Sequence, residues 1–483
     1  MSTEYLVNED QNKNSQKCYE STPVEYKTYK TNFRRFFGVE PLLLFYGFAS
    51  LMQTTVMQQF IYYRVGIIYN ITAPNQTLAF VCNRTSGSSD KDKTDKLQEI
   101  NSHFLMLISL GSSIASILTA PFYSVFSDRY GRRLMFLIPG TGIFVKSVLE
   151  LLAIYYLWPI TTFIYMETFY GLTGAYNFVI SLGFSYVADR SGHGTRTCRI
   201  AFVGIMIAIG AFVASLSSGY MITTYRYFVP FLASTVAAFL CLIYPLFLMM
   251  DSKPISDLSK VNMKPIMAVW KQLTSLATVH KKQSRNESIL SILVLIIFAF
   301  YNVGEMSGVD LQTPYLMSYP ICMTSIQIGL YGILNIVAIN LGAGLSTAML
   351  NRCFSDLVVI VLCLIFGMAF NLQMAFATSP LAAFIATGSN LLSFSAFPFF
   401  RGFLSKRTKS TEQGALFGGL VLIETVCGAI TKVLMLYFYQ KTLQTFNGLV
   451  FIFIGCFSLV AFILLIFTIP YSHVLDNRKK EKG

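Results

Sequence analysis

Residues 104–157 read FLMLISLGSSIASILTAPFYSVF, then SDRYGRR, then LMFLIPGTGIFVKSVLELLAIYYL. The two apolar stretches, 104–126 and 134–157, each reach the roughly 20 residues that a helix needs to cross the hydrocarbon of a bilayer. Between them Asp128, Arg129, Arg132 and Arg133 surround Gly131 in a connection too short and too charged to lie in lipid. The stretch is a membrane hairpin whose turn rests at one surface.

Working outward with the same rule gives twelve candidate spans, near 40–63, 104–126, 134–157, 160–184, 200–222, 227–250, 289–311, 326–349, 355–377, 380–402, 414–437 and 446–470. The whole chain supports that reading: 54% of its 483 residues are hydrophobic, 15% aromatic and only 13% charged. A mean hydropathy of +0.55 would leave a soluble globule coated in apolar surface, so the solvent is lipid. The net charge of +13 sits in short clusters between the spans rather than on one basic face. That distribution fits positive-inside topology and argues against a nucleic-acid partner.

Arg129, Arg132 and Arg133, Arg190 to Arg199, Lys253 to Arg285, Arg352, and Lys406 to Lys409 all fall on one side of the bilayer, as do Arg34, Arg35 and the terminal Arg478, Lys479 and Lys480. The expected organisation is a cytosolic tail 1–36 with no removable signal peptide, a six-span half 37–250 containing a long loop 65–103, a cytosolic linker 251–288, a second six-span half 289–470, and a cytosolic tail 471–483. Within the linker Ile266, Val269, Trp270, Leu273 and Leu276 recur at helical spacing among lysines, as in a helix lying on an anionic leaflet.

The loop 65–103 carries three N-x-S/T acceptors, Asn70, Asn75 and Asn83, as expected for glycosylation on the non-cytosolic face. Two cysteines fall on that face, Cys82 and Cys322, either bridged as a disulfide or left as two thiols; the bridge is the expectation. Most of the others lie in apolar runs as small core residues, and no spacing indicates a metal or cofactor site. No His-rich cluster, HExxH or Ser/His/Asp constellation is placed for catalysis, so the chain is not read as an enzyme.

Ser124 to Arg133 resembles the signature loop of the major facilitator superfamily, with Ser124 replacing its leading glycine. The resemblance implies a conformational latch formed by Asp128, Arg129, Gly131, Arg132 and Arg133, which pairs when the halves close and releases when they rock. Ser405-Lys406, followed by Ser410-Thr411-Glu412-Gln413-Gly414-Ala415-Leu416-Phe417, resembles more specifically the proton-coupled folate transporter family, solute carrier family 46. Val39-Glu40-Pro41, Gln53, Gln59, Arg64, Val187-Ala188-Asp189 and Pro320-Ile321-Cys322 agree with it over nearly the whole chain. The resemblance also implies a Cys82–Cys322 disulfide.

Charges inside the spans are costly and are functional candidates by default. Lys146 and Glu150, four apart, are read as a structural pair, with Glu167 in the next span. By resemblance, Arg401 stands where the folate-transporting relatives use an arginine in coupling and binding, although a snorkelling anchor is the alternative. Glu305 stands where those relatives have a proton-sensing histidine, and is either the proton site or a buried partner for a base. Asp310 is placed near the outer surface, and Glu424 requires a proton or a basic partner. Gly204 and Ala175 replace two acidic residues of the folate-transporting member, so folate itself is not implied. Gln53 and Gln59 in span 1 and Asn335 in span 8 either bond helix to helix or line a hydrated cavity, and the cavity is the expectation.

The expected fold is an all-α polytopic membrane protein with twelve transmembrane helices in two six-helix pseudo-symmetric halves, the major facilitator fold. The expected function is secondary transport of a small organic solute by alternating access, with a proton as coupling ion. Arg401 and Lys432 point to an anion, and the family resemblance suggests a folate-like, muropeptide-like or cyclic-dinucleotide compound or a steroid conjugate. An uncoupled carrier and a non-transporting receptor that keeps the fold are the alternatives. Either the plasma membrane or a lysosomal or endosomal membrane suits the topology, with both termini cytosolic.

Overall fold

In the computed structural model the described residues are 38–70, 88–190, 196–250, 285–408 and 413–480, and among them the regular structure is entirely helical. The N-terminal half comprises α1 (Glu40–Ile68), α2 (Ser88–Tyr130), α3 (Arg132–Tyr155), α4 (Thr161–Leu172), α5 (Ala175–Arg190), α6 (Arg196–Tyr225) and α7 (Phe228–Phe247). The C-terminal half comprises α8 (Arg285–Met317), α9 (Ser325–Leu345), α10 (Asp356–Ala375), α11 (Pro380–Ser389), α12 (Ala396–Arg407), α13 (Gln413–Thr442) and α14 (Leu449–Lys480). α9 continues through a π-helical turn, Ser346–Leu350, to Cys353.

These helices make twelve crossings, because α4 with α5 forms the fourth and α11 with α12 the tenth. Ten crossings meet the length and apolarity of a membrane span outright. α1 is long enough at 29 residues but is diluted by Gln53, Gln58, Gln59 and Arg64. The fourth crossing is cut in two, a departure from the unbroken span expected over 160–184. The cut falls at Thr173–Gly174, where Gly174 has φ +100° and Ala175 φ 53°. The tenth is likewise interrupted, between Ser389 and Ala396, with a single 3₁₀ turn at Ser393–Ser395.

Helix ends also run past several expected limits. α2 begins at Ser88, inside the stretch expected to be loop; α8 begins at Arg285, inside the expected linker; and α14 runs to Lys480 through the stretch expected to be a tail. Polar turns extend an apolar helix beyond the bilayer at little cost because water satisfies their exposed groups. The amphipathic stretch around Trp270 lies outside the described residues.

The apolar interior sets the shape of the molecule. Near the basic surface, each half has a separate core. One gathers Leu42, Tyr46, Phe136, Tyr186 and Tyr244, and the other Leu290, Phe298, Ile360, Phe400 and Leu465. Toward the opposite surface, a single core runs through both halves, joining Met52, Phe60 and Phe231 to Tyr315, Met374 and Phe451.

Hydrogen bonds cross between the halves at this same level. Gln58 donates to the Asp310 carbonyl at 3.3 Å, Gln98 to the Pro314 carbonyl at 2.6 Å, and Ser215 to the Gly329 carbonyl at 2.9 Å. The backbones of α6 and α9 nearly touch there: a Cβ on Gly219 would stand 2.5 Å from the Ser325 carbonyl oxygen. Small residues permit such approach where apolar driving force between helices is absent. Among the described residues the halves are therefore sealed at the surface opposite the arginines and separate at the basic surface.

Candidate functional site

Interrupted helices at matching positions of two repeats are the strongest structural pointer to a solute site in a transporter, since unwound backbone inside a membrane is tolerated only where it is buried or lines a cavity. The fourth and tenth crossings hold matching places in their halves. The site is built around these two breaks.

At the tenth-crossing break, Tyr301 of α8 donates its hydroxyl to the Ser393 carbonyl at 2.6 Å and so fixes the unwound turn. One turn further along α8, Glu305 is 7% exposed and its Oε1 meets no donor. The carboxyl has the Ser393 hydroxyl beside it. It lies against Gly367 of α10, where a Cβ would stand 2.5 Å from Oε1. A side chain at this position would push the carboxyl aside. The Ser393 hydroxyl bonds to Asn390, whose amide donates to Asn335 of α9 at 2.6 Å. A polar path thus runs from Glu305 through Ser393 and Asn390 to Asn335.

Two ion pairs flank this path. Arg401 Nη2 lies 2.6 and 2.8 Å from the two oxygens of Glu424, with side chains 35% and 20% exposed. Lys432 lies 2.8 Å from Asp310, with side chains 38% and 14% exposed. Tyr301 is within electrostatic reach of both Glu305 and Glu424, which makes the group one cluster. The sequence reading placed positive charge from Arg401 and Lys432 at the cavity, and each is matched here by a carboxylate that offsets its desolvation. Glu305 is not paired with a base.

The fourth-crossing break is drier. Lys146 of α3 is 3% exposed, is hydrogen-bonded to Glu167 of α4, lies 3.7 Å from Glu150 and sits 4.8 Å from the centre of the Tyr170 ring. The self-contained Lys146–Glu150 pair expected from the sequence is therefore a triad whose tightest contact is with Glu167. Tyr170 continues to Tyr46 of α1 by a hydroxyl hydrogen bond.

The span-1 glutamines are not cavity groups here. Gln53 is 1% exposed and bonds Ser147 of α3, while Gln58 bridges the halves. Gln59 is fully buried with both amide atoms unpartnered. Helix-to-helix bonding has taken the polar stripe that resembled a lining.

At the basic surface, Arg132 donates to Asp189 at 3.0 Å and to Ser127 at 2.6 Å. Arg133 donates to the carbonyls of Pro245 and Leu246 at 2.6 and 2.5 Å. Gly131, with φ +92°, makes the corner between α2 and α3. The side chains of Asp128 and Arg129 lie outside the described set. Asn70 is exposed just beyond α1, while Asn75, Asn83 and Cys82 lie outside the described residues. Cys322 is disulfide-bonded. Among the described residues no cluster of metal-ligating side chains occurs.

Ser393, Asn390, Tyr301 and Gly367 escaped the sequence reading. The available signal was the run Thr387-Gly388-Ser389-Asn390, whose small and polar residues inside an apolar stretch mark a helix break.

An all-helical, multi-pass membrane protein with two halves, two interrupted helices and buried charge at the breaks defines a membrane carrier. The sequence profile of the Major Facilitator Superfamily matches residues 41–431, and the chain belongs to that superfamily. It is 27% identical over 423 residues, 87% of this chain and 91% of the relative, to the lysosomal proton-coupled steroid conjugate and bile acid symporter SLC46A3 of Gallus gallus. It is 24% identical over 417 residues, 86% of this chain and 88% of the relative, to the proton-coupled folate transporter of Rattus norvegicus. Among solved structures, the human organic anion transporter MFSD10 matches with a TM-score of 0.57 at 14% identity, covering 87% of this chain and 99% of that one. The xylose transporter XylE from E. coli matches with a TM-score of 0.55 at 12% identity, covering 87% and 97%. These structural matches share the fold.

Proposed function

We propose that the chain is a proton-coupled symporter of a small organic anion, moving it by alternating access toward the basic, cytosolic surface. The observation that carries this reading is Glu305, a carboxyl buried inside the membrane against a broken helix, with no base of its own and a polar path leading away from it. A carboxylate so placed is tolerable only when it holds a proton or is reached by a cation, so its charge is tied to what occupies the site. Arg401 supplies the complementary half: a proton on Glu424 releases the guanidinium to a carboxylate, sulfate or phosphate of the solute.

With Glu305 and Glu424 both protonated and Arg401 holding a monoanion, the loaded site is neutral as the halves swing. Acid on the surface opposite the arginines drives the cycle inward, which suits either an acidic organelle lumen or acidic extracellular fluid. The relatives named for lysosomal symport and for folate transport work with protons by their names, and this chain is proposed to share that coupling. In the same orientation both termini are cytosolic, Asn70, Asn75 and Asn83 face the glycosylating compartment, Cys82 is the partner of Cys322, and the Asp128 loop latches the cytosolic surface when it closes.

The test is uptake of a labelled folate, a muramyl dipeptide, a cyclic dinucleotide and a steroid sulfate into cells displaying the protein on their surface. Uptake is compared at about pH 5.5 and about pH 7.4. One compound is expected to enter faster in acid, with that stimulation lost in Glu305→Gln at equal surface expression. Uptake insensitive to pH and to the substitution overturns Glu305 as the proton site.

A further inference from the structure

The N-terminal triad contains an imbalance that the coupling scheme at Glu305 does not use. Glu150 is 0% exposed, and neither carboxyl oxygen has a hydrogen-bond donor. Lys146 approaches it to 3.7 Å, outside hydrogen-bond range, and gives its hydrogen bond to Glu167 instead. One ammonium therefore serves two carboxyl groups in a region closed to water. With both acids ionised the triad carries one uncompensated negative charge, whose burial costs several kcal/mol. A proton removes that charge, and Glu150 is the member with no donor to hold it as an anion.

Lys146 on its own helix and Glu167 on α4 are the charged groups acting on Glu150. α4 also brings Tyr170, and α1 brings Tyr46 behind it and Gln53, which bonds the neighbouring Ser147. α7 brings the neutral Thr235, which bonds the Ser147 carbonyl at 3.3 Å. The outward side of the triad reaches the other half: Glu167 acts electrostatically on Lys432 of α13, which is paired with Asp310 at 2.8 Å. The order of charges across the interface is thus Glu150, Lys146, Glu167, Lys432, Asp310, with three acids to two bases.

We propose that Glu150 is a second proton site, and that its proton decides whether Glu167 pairs with Lys146 in its own half or with Lys432 in the other. With the proton present, Lys146 belongs to Glu167, as seen. When it leaves, the Glu150 carboxylate four residues along the same helix draws Lys146 back, and Glu167 turns to Lys432. That pair adds a tie between the halves in the sealed layer, where Lys432 already holds Asp310 and Gln58 bonds the Asp310 carbonyl, which favours keeping the surface opposite the arginines closed. The role deepens the symport reading, since it adds a proton-linked step in the half that does not contain Glu305.

The test uses full-length protein in lipid nanodiscs and two readouts. Infrared spectroscopy at neutral pH is expected to show the carbonyl stretch of a buried carboxylic acid that disappears in Glu150→Gln and persists in Glu305→Gln. A cysteine placed by Ser325→Cys, in the seal against Gly219, reports opening of the opposite surface to an impermeant maleimide. Its labelling, divided at each pH by that of the same thiol in unfolded protein, is expected to fall severalfold as pH rises, equally in Lys406→Ala, and to become flat in Glu150→Gln and in Lys432→Gln. An infrared spectrum unchanged by Glu150→Gln overturns the proton site, and normalised labelling that still falls with pH in Glu150→Gln overturns the switch. Neither readout needs a solute, so failure of the Glu305 uptake experiment leaves this inference separately testable.

Discussion

The two interrupted crossings occupy equivalent places in their halves and have been put to different use. In the N-terminal half the charges beside the break are dry, with Lys146 at 3% and Glu150 at 0% exposure, and they answer to one another. In the C-terminal half Arg401 and Lys432 keep 35% and 38% of their side chains exposed, each with a carboxylate partner, while Glu305 has no ion pair among the described residues. The same backbone device therefore supports a closed charge cluster on one side and an open, reconfigurable one on the other. Under the proposed mechanism, solute contact falls to the C-terminal half and control to the N-terminal half.

That contrast predicts how strongly each base is needed for stability, measured by thermal unfolding of purified protein in one detergent. Lys146→Met strands Glu167 in a dry interior and is expected to destabilise the fold by about 3 kcal/mol, with Glu167→Gln restoring most of the loss. Arg401→Met acts at a half-wet site, where water and a proton can relieve Glu424, so the expected loss is about 1 kcal/mol. If the two losses come out equal, the division into dry and wet halves fails. Lys406, whose side chain is 69% exposed in its 2.7 Å pair with Asp356, sets the baseline. Lys406→Ala is expected to change stability by no more than about 0.5 kcal/mol.

The separation of the cores has a further consequence. A single apolar core across both halves near one surface and two independent cores near the other is the arrangement of a rocker tilted open toward its arginines. Arg132 and Arg133, residues of the motif loop, spend their hydrogen bonds within the N-terminal half, on Asp189, Ser127 and the end of α7. Lys406 and Arg407 do the same in the C-terminal half, on Asp356 and Ser472. The hydrogen bonds named at the basic surface each stay within one half.

The sequence by itself determined the lipid solvent, the candidate crossings and which charged residues fall inside them. Each follows from local quantities, namely apolar length and the cost of charge in hydrocarbon. It also held the motif of Asp128 to Arg133 and the string at Ser410 to Phe417. What only the tertiary structure decided was partnership. Lys146 chose Glu167 on another helix over Glu150 on its own, Arg401 and Lys432 acquired carboxylates, and Gln53 turned from expected cavity lining to a helix contact. The breaks at Gly174 and Asn390 took shape in three dimensions, where Thr119 and Tyr123 of α2 donate to the Gly171 and Leu172 carbonyls and Tyr301 of α8 to that of Ser393. A buried charge is legible in a sequence because its cost is local; its partner is set by packing between helices far apart in the chain, and hydropathy carries no record of that.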